Sequence, residues 1–167
     1  MLLHCTRKLG AKIPAVSSDP LDEKSPLGSW HANLVQVRRR QCVLFCHDAT
    51  RYMLFVPGLK KPHFENLDRV FRDVFLMSLV AHGVTDAKIM RVSLALGPLA
   101  FDGATDRSVL GAMNIAMQDL EGYLVTCDDL LEIDMAGAAL YLNERPTSVR
   151  GEWLWPAREM LARVAAL

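Results

Sequence analysis

The segment from Trp30 to Val56 constrains the fold most, because it holds three strand-like runs with almost no chain between them. In Trp30-His31-Ala32-Asn33-Leu34-Val35-Gln36-Val37, an extended chain puts Trp30, Ala32 and Leu34 on one face and His31, Asn33 and Val35 on the other. Arg38-Arg39-Arg40 reads as a turn. Gln41 to His47 is a nearly continuous apolar strand, the pattern of a strand covered on both faces. Asp48-Ala49-Thr50 forms a second turn and Arg51 to Val56 a third strand. Connections this short join neighbouring antiparallel strands, so the segment predicts an antiparallel β-meander.

The flanking sequence supplies the layers around it. Residues 2–6 read as a short first strand, and Lys12 to Leu27 as a loop in which Pro14, Pro20 and Pro26 oppose regular structure. Beyond Pro57-Gly58 a long central helix is predicted from about Phe64 to His82. Its buried stripe is Leu67, Val70, Phe71, Val74 and Phe75, and Gly83 ends it. Thr85 to Val92 starts like a short helix, whereas Val92 to Phe101 could hold one or two strands broken at Gly97-Pro98. Helices are further predicted at 107–121, from Asp134 through Leu142, and from Pro156 towards Leu167, with Trp153 and Trp155 pinning the C-terminus to the body. The expectation is an α+β fold: the meander packed against a long central helix, with further helices in the C-terminal half. At 167 residues, one domain spanning 1–167 can bury a core without staples.

Charge excludes some functions. Nineteen basic and nineteen acidic residues cancel, which removes any global attraction to nucleic acid or anionic lipid. The most apolar run after the N-terminus, Phe75 to Ala81, is too short to span a bilayer, and Met1 to Lys8 lacks the apolar segment of an export signal. Membrane association is therefore not expected. A cytoplasmic location is, with Cys5, Cys42, Cys46 and Cys127 as reduced thiols.

Thr105-Asp106-Arg107-Ser108-Val109-Leu110-Gly111-Ala112-Met113-Asn114 is the stretch best suited to one wall of a site. Asp106 or Thr105 can cap a helix whose apolar stripe is Val109, Leu110, Met113, Met117 and Leu120. Arg107, Gly111 and Asn114 then share a face, expected to look towards the polar sheet end. A glycine inside a helix costs about 1 kcal/mol against alanine, and close approach of a backbone or a ligand is the usual reason for it. Helix amides and an arginine suit an anion. The competing reading is structural: a strand packs against Gly111 while Arg107 and Asn114 pair with loops.

Other candidate chemistry is thin. Cys42, Cys46 and His47, with His31 and His4, lack the paired spacing of a metal site, so neither metal nor cofactor is expected. Cys5 beside His4, and Cys46 beside His47, point to opposite faces of their strands and cannot act as nucleophile and base without a partner from elsewhere. Ser108 lacks the nucleophile elbow, and no phosphate loop or dinucleotide fingerprint is present. Arg38-Arg39-Arg40 with Lys60-Lys61 is the main basic feature, readable as a phosphate contact or as a solvated turn.

Several blocks together carry a resemblance. They are Leu3-His4-Cys5-Thr6-Arg7-Lys8-Leu9, Ser29-Trp30-His31-Ala32-Asn33-Leu34, the arginine run into His47-Asp48-Ala49-Thr50-Arg51-Tyr52, Gly58-Leu59-Lys60, and Asp106 through Asn114. Over residues 1–122 the chain resembles a bacterial domain family of unknown function, and is similar to the N-terminal module of some plasmid-type open-reading-frame proteins. Asn143-Glu144-Arg145-Pro146 and Trp153-Leu154-Trp155-Pro156 are typical of its shorter, stand-alone members. The resemblance implies a bacterial cytoplasmic protein in an accessory or mobile-element setting, and carries over no activity. Its polar motif residues match His4, Trp30, His31, Asn33, Arg40, Thr50, Arg51, Arg107, Ser108 and Asn114.

Three functional readings follow. The first is a binding or regulatory module whose polar cleft takes an anionic group, a nucleotide or nucleic-acid phosphate, on His31, Asn33, Arg51, Arg107, Ser108 and Asn114. The second is a small hydrolase or transferase with His31 or His47 as acid/base and Arg107 stabilising an anion. The third is a protein-interaction or self-association module without a ligand site. Nucleotide, nucleic acid and a second copy of the chain all stay open as partners.

Overall fold

The computed structural model describes residues 1–149 and 151–167. Five strands, β1 (Leu2–Cys5), β2 (Trp30–Val37), β3 (Arg40–His47), β4 (Met53–Val56) and β5 (Ala100–Asp102), form one sheet in the order β4-β3-β2-β1-β5. β2, β3 and β4 make the antiparallel meander their short turns require. β1 runs parallel to both β2 and β5, so the sheet is mixed. A parallel β1–β2 pair needs a long crossover. The helix α1 (Arg7–Gly10) and the proline-rich segment after it supply this crossover.

The remaining helices are α2 (Lys61–Glu65), α3 (Leu67–Ala81), α4 (Asp86–Leu96), α5 (Arg107–Leu124), α6 (Met135–Asn143) and α7 (Pro156–Ala165), with a small hairpin of β6 (Thr147–Val149) and β7 (Glu152–Leu154). This is an α+β fold. One face of the sheet presents Leu3, Trp30, Ala32, Phe45 and Leu54 to α3, where Trp30 meets Phe71 and Phe75 edge-on at 5.0 Å each. The other face presents Cys42, Leu44, Cys46, Met53 and Phe55 to α5 and α6. β3 is accordingly buried on both sides from Cys42 to His47.

Four expectations need correction. The long helix is interrupted at Asn66, which leaves helical geometry (φ −124°, ψ 39°) and donates its side-chain amide to Pro62 O. Asparagine competes with the helix through such local bonds. Val92 to Leu96 continues α4, which ends at Gly97 with φ 54°, and only Ala100–Asp102 is strand. Trp153 is 67% exposed and Trp155 39%, so they do not pin the C-terminus; Arg158 lies over the Trp155 ring at 5.1 Å. Gly111 has no neighbour within 4 Å of where a Cβ would stand, and Arg107, Gly111 and Asn114 form an exposed face of α5 turned away from the sheet.

The arginine run is a structural clasp. Arg38 and Arg39 take positive φ (46° and 64°), the geometry of a tight two-residue hairpin. Arg38 donates to the carbonyls of Leu124, Cys127 and Asp128, and Arg40 lies 3.6 Å from Asp129. A cation at these last carbonyls also complements the negative end of the α5 dipole.

Both sheet edges are covered. Ser17 bridges the β5 edge, its N–H donating to Phe101 O at 2.8 Å. At the β4 edge, buried Asn143 accepts from Met53 N (2.6 Å) and donates to Met53 O (2.7 Å), taking the place of a neighbouring strand. Asn143→Ala strands two buried backbone groups. We expect it to cost about 2–4 kcal/mol in urea unfolding, whereas Asn114→Ala on the exposed face of α5 stays within about 0.5 kcal/mol.

Candidate functional site

The half of the α5-side sheet face not covered by helix is polar. Cross-strand register places Asp102, His4, His31 and Cys46 in one lateral row on β5, β1, β2 and β3. Side chains at one register position share a face, so three of these four groups meet where β1 and β5 end. The chain leaves β1 towards β2 on one side and later reaches β5 on the other. This reversal beside the carboxyl ends of parallel strands is where open α/β sheets form crevices.

His31 is 2% exposed. Its Nε2 accepts the N–H of Asp106 at 2.8 Å, so Nδ1 carries the proton and donates to Asp48 Oδ1 at 2.6 Å. The ring is thereby fixed as a neutral tautomer linking the β3–β4 turn to the start of α5. Asp106 in turn caps α5, Oδ1 accepting from Ser108 N (2.7 Å) and Val109 N (3.0 Å). Those two bonds, the one from Val109 first, help hold its carboxyl below the usual range.

His4 lies beside His31, ring centroids 4.9 Å apart. Its Nδ1 donates at 2.6 Å to Asp102, which is fully buried and also accepts from Leu21 N and Ala104 N. Nε2 points to Asp48 Oδ2 across 3.7 Å, too far for a direct bond, and the side chain is 16% exposed. Burial pushes the Asp48 carboxyl upwards. The hydrogen bonds from His31 and Ser29 (2.6 Å), with His31 and His4 alongside, overcome that and hold it below the ordinary value.

Arg51 closes the turn with φ 57° and is 6% exposed. Its guanidinium donates to Asp48 O and, at 3.1 Å, to Ser108 Oγ, while Nε is buried without a partner. No carboxylate pairs with it among the described residues. The cavity beside it, shared with Asp119 and Arg145, holds about 40 Å³, room for one or two waters.

Of the expected ligand residues, His31, Arg51 and Ser108 come together at the start of α5. Asn33 sits on the same sheet face, Oδ1 accepting from Thr6 Oγ1 at 3.0 Å. Arg107 and Asn114 stand on the outer face of α5, apart from the cluster. Reading adjacent residues in pairs missed the principal dyad: Asp102 and His4 are 98 residues apart, and only the β1–β5 pairing joins them. Among the described residues, no group of three His, Cys, Asp or Glu side chains is arranged to hold a metal ion. No helix among the described residues is long and apolar enough to cross a membrane. Burial pushes the Cys5 thiol up to about 12 and raises the Cys42 and Cys46 thiols as well, which keeps all three protonated and unreactive.

The fold and the cluster define an α+β domain with a histidine–aspartate centre at the carboxyl ends of its parallel strands. The chain belongs to the family described as a domain of unknown function, DUF6933, whose model matches residues 2–159 and so extends past the first 122 residues. Comparison with curated proteins and with solved structures returned no match.

His47 has a different task. It is buried against Gly28, whose φ of 89° brings the loop backbone close to the ring. Nε2 donates to Leu27 O at 2.7 Å, and Nδ1 accepts from Thr50 N at 3.1 Å. Burial lowers its pKa from 6.5 to about 4. The folded state thus resists a proton that the unfolded chain takes up near 6.5. Stability is at its full value above 6.5 and falls as the pH drops through the window to about 4, a loss of about 3 kcal/mol. His82, also lowered by burial, adds a smaller fall of the same sign. Urea midpoints measured from pH 8 to 4 should show this fall, and His47→Gln should remove most of the slope.

Proposed function

We propose that the crevice at the ends of β1 and β5 is a proton-transfer site of a small hydrolase or transferase, with His4 as its acid/base. The observation that carries the reading is the 2.6 Å bond from His4 Nδ1 to fully buried Asp102. A buried carboxylate that fixes Nδ1–H leaves the lone pair on Nε2, the atom that must accept a proton from water or substrate. Asp48 stands 3.7 Å from that nitrogen and stabilises the imidazolium once the proton has moved. Both ring nitrogens of His31 and of His47, the acid/base candidates of the sequence, are taken by other bonds, which leaves His4 for this role.

The test is chemical modification and turnover. Diethyl pyrocarbonate should modify His4 well ahead of His31 and His47, and Asp102→Asn should slow that reaction at least tenfold. In a panel of p-nitrophenyl esters and phosphates, any turnover should fall by 10²–10⁴ in His4→Gln, the range general acid/base catalysis supplies, with thermal stability retained. His4 reacting as slowly as His31 would sink the reading.

A second reading, a binding module for an anionic group, draws on Arg51, a buried guanidinium with a spare Nε and no carboxylate partner. There an anion would meet Arg51 and Ser108, while Asp106 already occupies the first amides of α5. Because Arg51 also holds its turn, the discriminating variant is Arg51→Lys. It should weaken inorganic sulfate binding several-fold without unfolding the chain, whereas Arg107→Ala on the outer face of α5 leaves it unchanged; unchanged affinity in Arg51→Lys rejects this reading.

A further inference from the structure

On the opposite sheet face, a cavity of about 330 Å³ opens between the exit of α1 and the β4–α2 junction. Its walls are Ala11, Lys12, Gln41, Lys60, Lys61 and Phe64. Gln41 has the parity of Val43 and Phe45, the α3 side, whereas His4 and His31 face α5, so this cavity is separate from the crevice described above.

We infer that this cavity is a binding site for a small phosphorylated molecule. Three lysines line it, and no acidic residue does. Lys61 reaches Glu65 at 3.8 Å, an exposed pair worth little. Neither Lys12 nor Lys60 has an ion-pair partner among the described residues.

The backbone beneath the lysines is fixed. Lys12 N donates to Leu9 O at 2.8 Å, Leu59 N to Gln41 O at 2.7 Å, and Lys60 N to His63 Nδ1 at 2.9 Å. Buried Phe64 forms part of the wall. Like charges gathered on a rigid wall repel one another, and a bound polyanion removes that repulsion. Lysine serves phosphate as a point charge and needs no bidentate geometry.

Size and lining narrow the ligand class. The volume lies at the lower end of small-molecule sites. The one aromatic residue present, Phe64, is only 3% exposed, which leaves little ring surface for the base stacking that single-stranded nucleic acid uses. The site therefore suits a compact phosphate or diphosphate ester.

The experiment is a titration of the full chain with inorganic pyrophosphate, followed by calorimetry and by ¹H–¹⁵N spectra. Amide shifts should centre on Lys12, Gln41, Lys60 and Lys61, and the affinity should fall as salt is raised. The double variant Lys12→Ala/Lys60→Ala should bind at least tenfold more weakly at an unchanged melting temperature, with Lys24→Ala as the unaffected control. The inference is overturned by no binding at millimolar pyrophosphate, or by equal affinity in the double variant. Shifts centred on Arg51 and Ser108 would also overturn it, as would tighter binding of a short single-stranded DNA to the same residues.

Discussion

The neutral imidazole of His31 holds the polar half of this molecule together. One nitrogen accepts the backbone N–H of Asp106 and the other donates to Asp48, so a single ring joins the start of α5 to the β3–β4 turn. Asp48, anchored this way, also accepts from Ser29 and stands opposite His4. The Asp106 N–H finds its partner in that ring, and the Asp106 carboxylate remains free to cap the helix. A buried donor or acceptor left alone costs about 1–3 kcal/mol. Each member of this chain is satisfied by the next, and that makes a charged cluster tolerable at the edge of a core.

The two sheet faces divide the labour. Towards α3 the sheet is apolar from Leu3 to Leu54, and Trp30, Phe71 and Phe75 fill the space with edge-on rings. Towards α5 it is apolar over β3, β4 and the far end of β2, where Val35 and Val37 pack. Beyond the reach of that helix, the same face turns to His4, His31, Asn33 and Asp102. His47 ends the apolar strand and is spent on holding Leu27 and the turn at Thr50. The row of register partners therefore changes from packing to polar groups where β3 meets β2, between Cys46 and His31.

This division explains what could be read from the residues in order. The meander was legible because Arg38-Arg39 and the turn after His47 leave the strands no other way to pair, and alternation placed His31 and Asn33 correctly on one face. The cap at Asp106 was legible for the same local reason. The outward turn of Arg107, Gly111 and Asn114 was not. Helical spacing says which residues share a face, but it does not say whether that face or the apolar stripe beside it meets the sheet end. The α3 break was hidden because Asn66 disturbs a pattern that remains apolar on both sides of it. The His4–Asp102 pair was invisible because it depends on a parallel neighbour arriving from far along the chain.

The charges of the cluster also bear on its chemistry. Around His4 stand Asp48 and Asp102, with Asp106 one ring further on. Arg51 contributes a fixed cation beside Asp48 and Ser108, and its Nη groups already donate to a carbonyl and a hydroxyl. An incoming phosphate would face carboxylates at short range, each repelling it by about 1 kcal/mol at 4 Å in water and more where water is excluded. Asp102 fixes the His4 ring through Nδ1 and leaves Nε2 turned towards Asp48. Anion recognition and proton transfer therefore ask for opposite surroundings, and those of His4 match proton transfer. The three lysines on the other face have the surroundings that suit an anion.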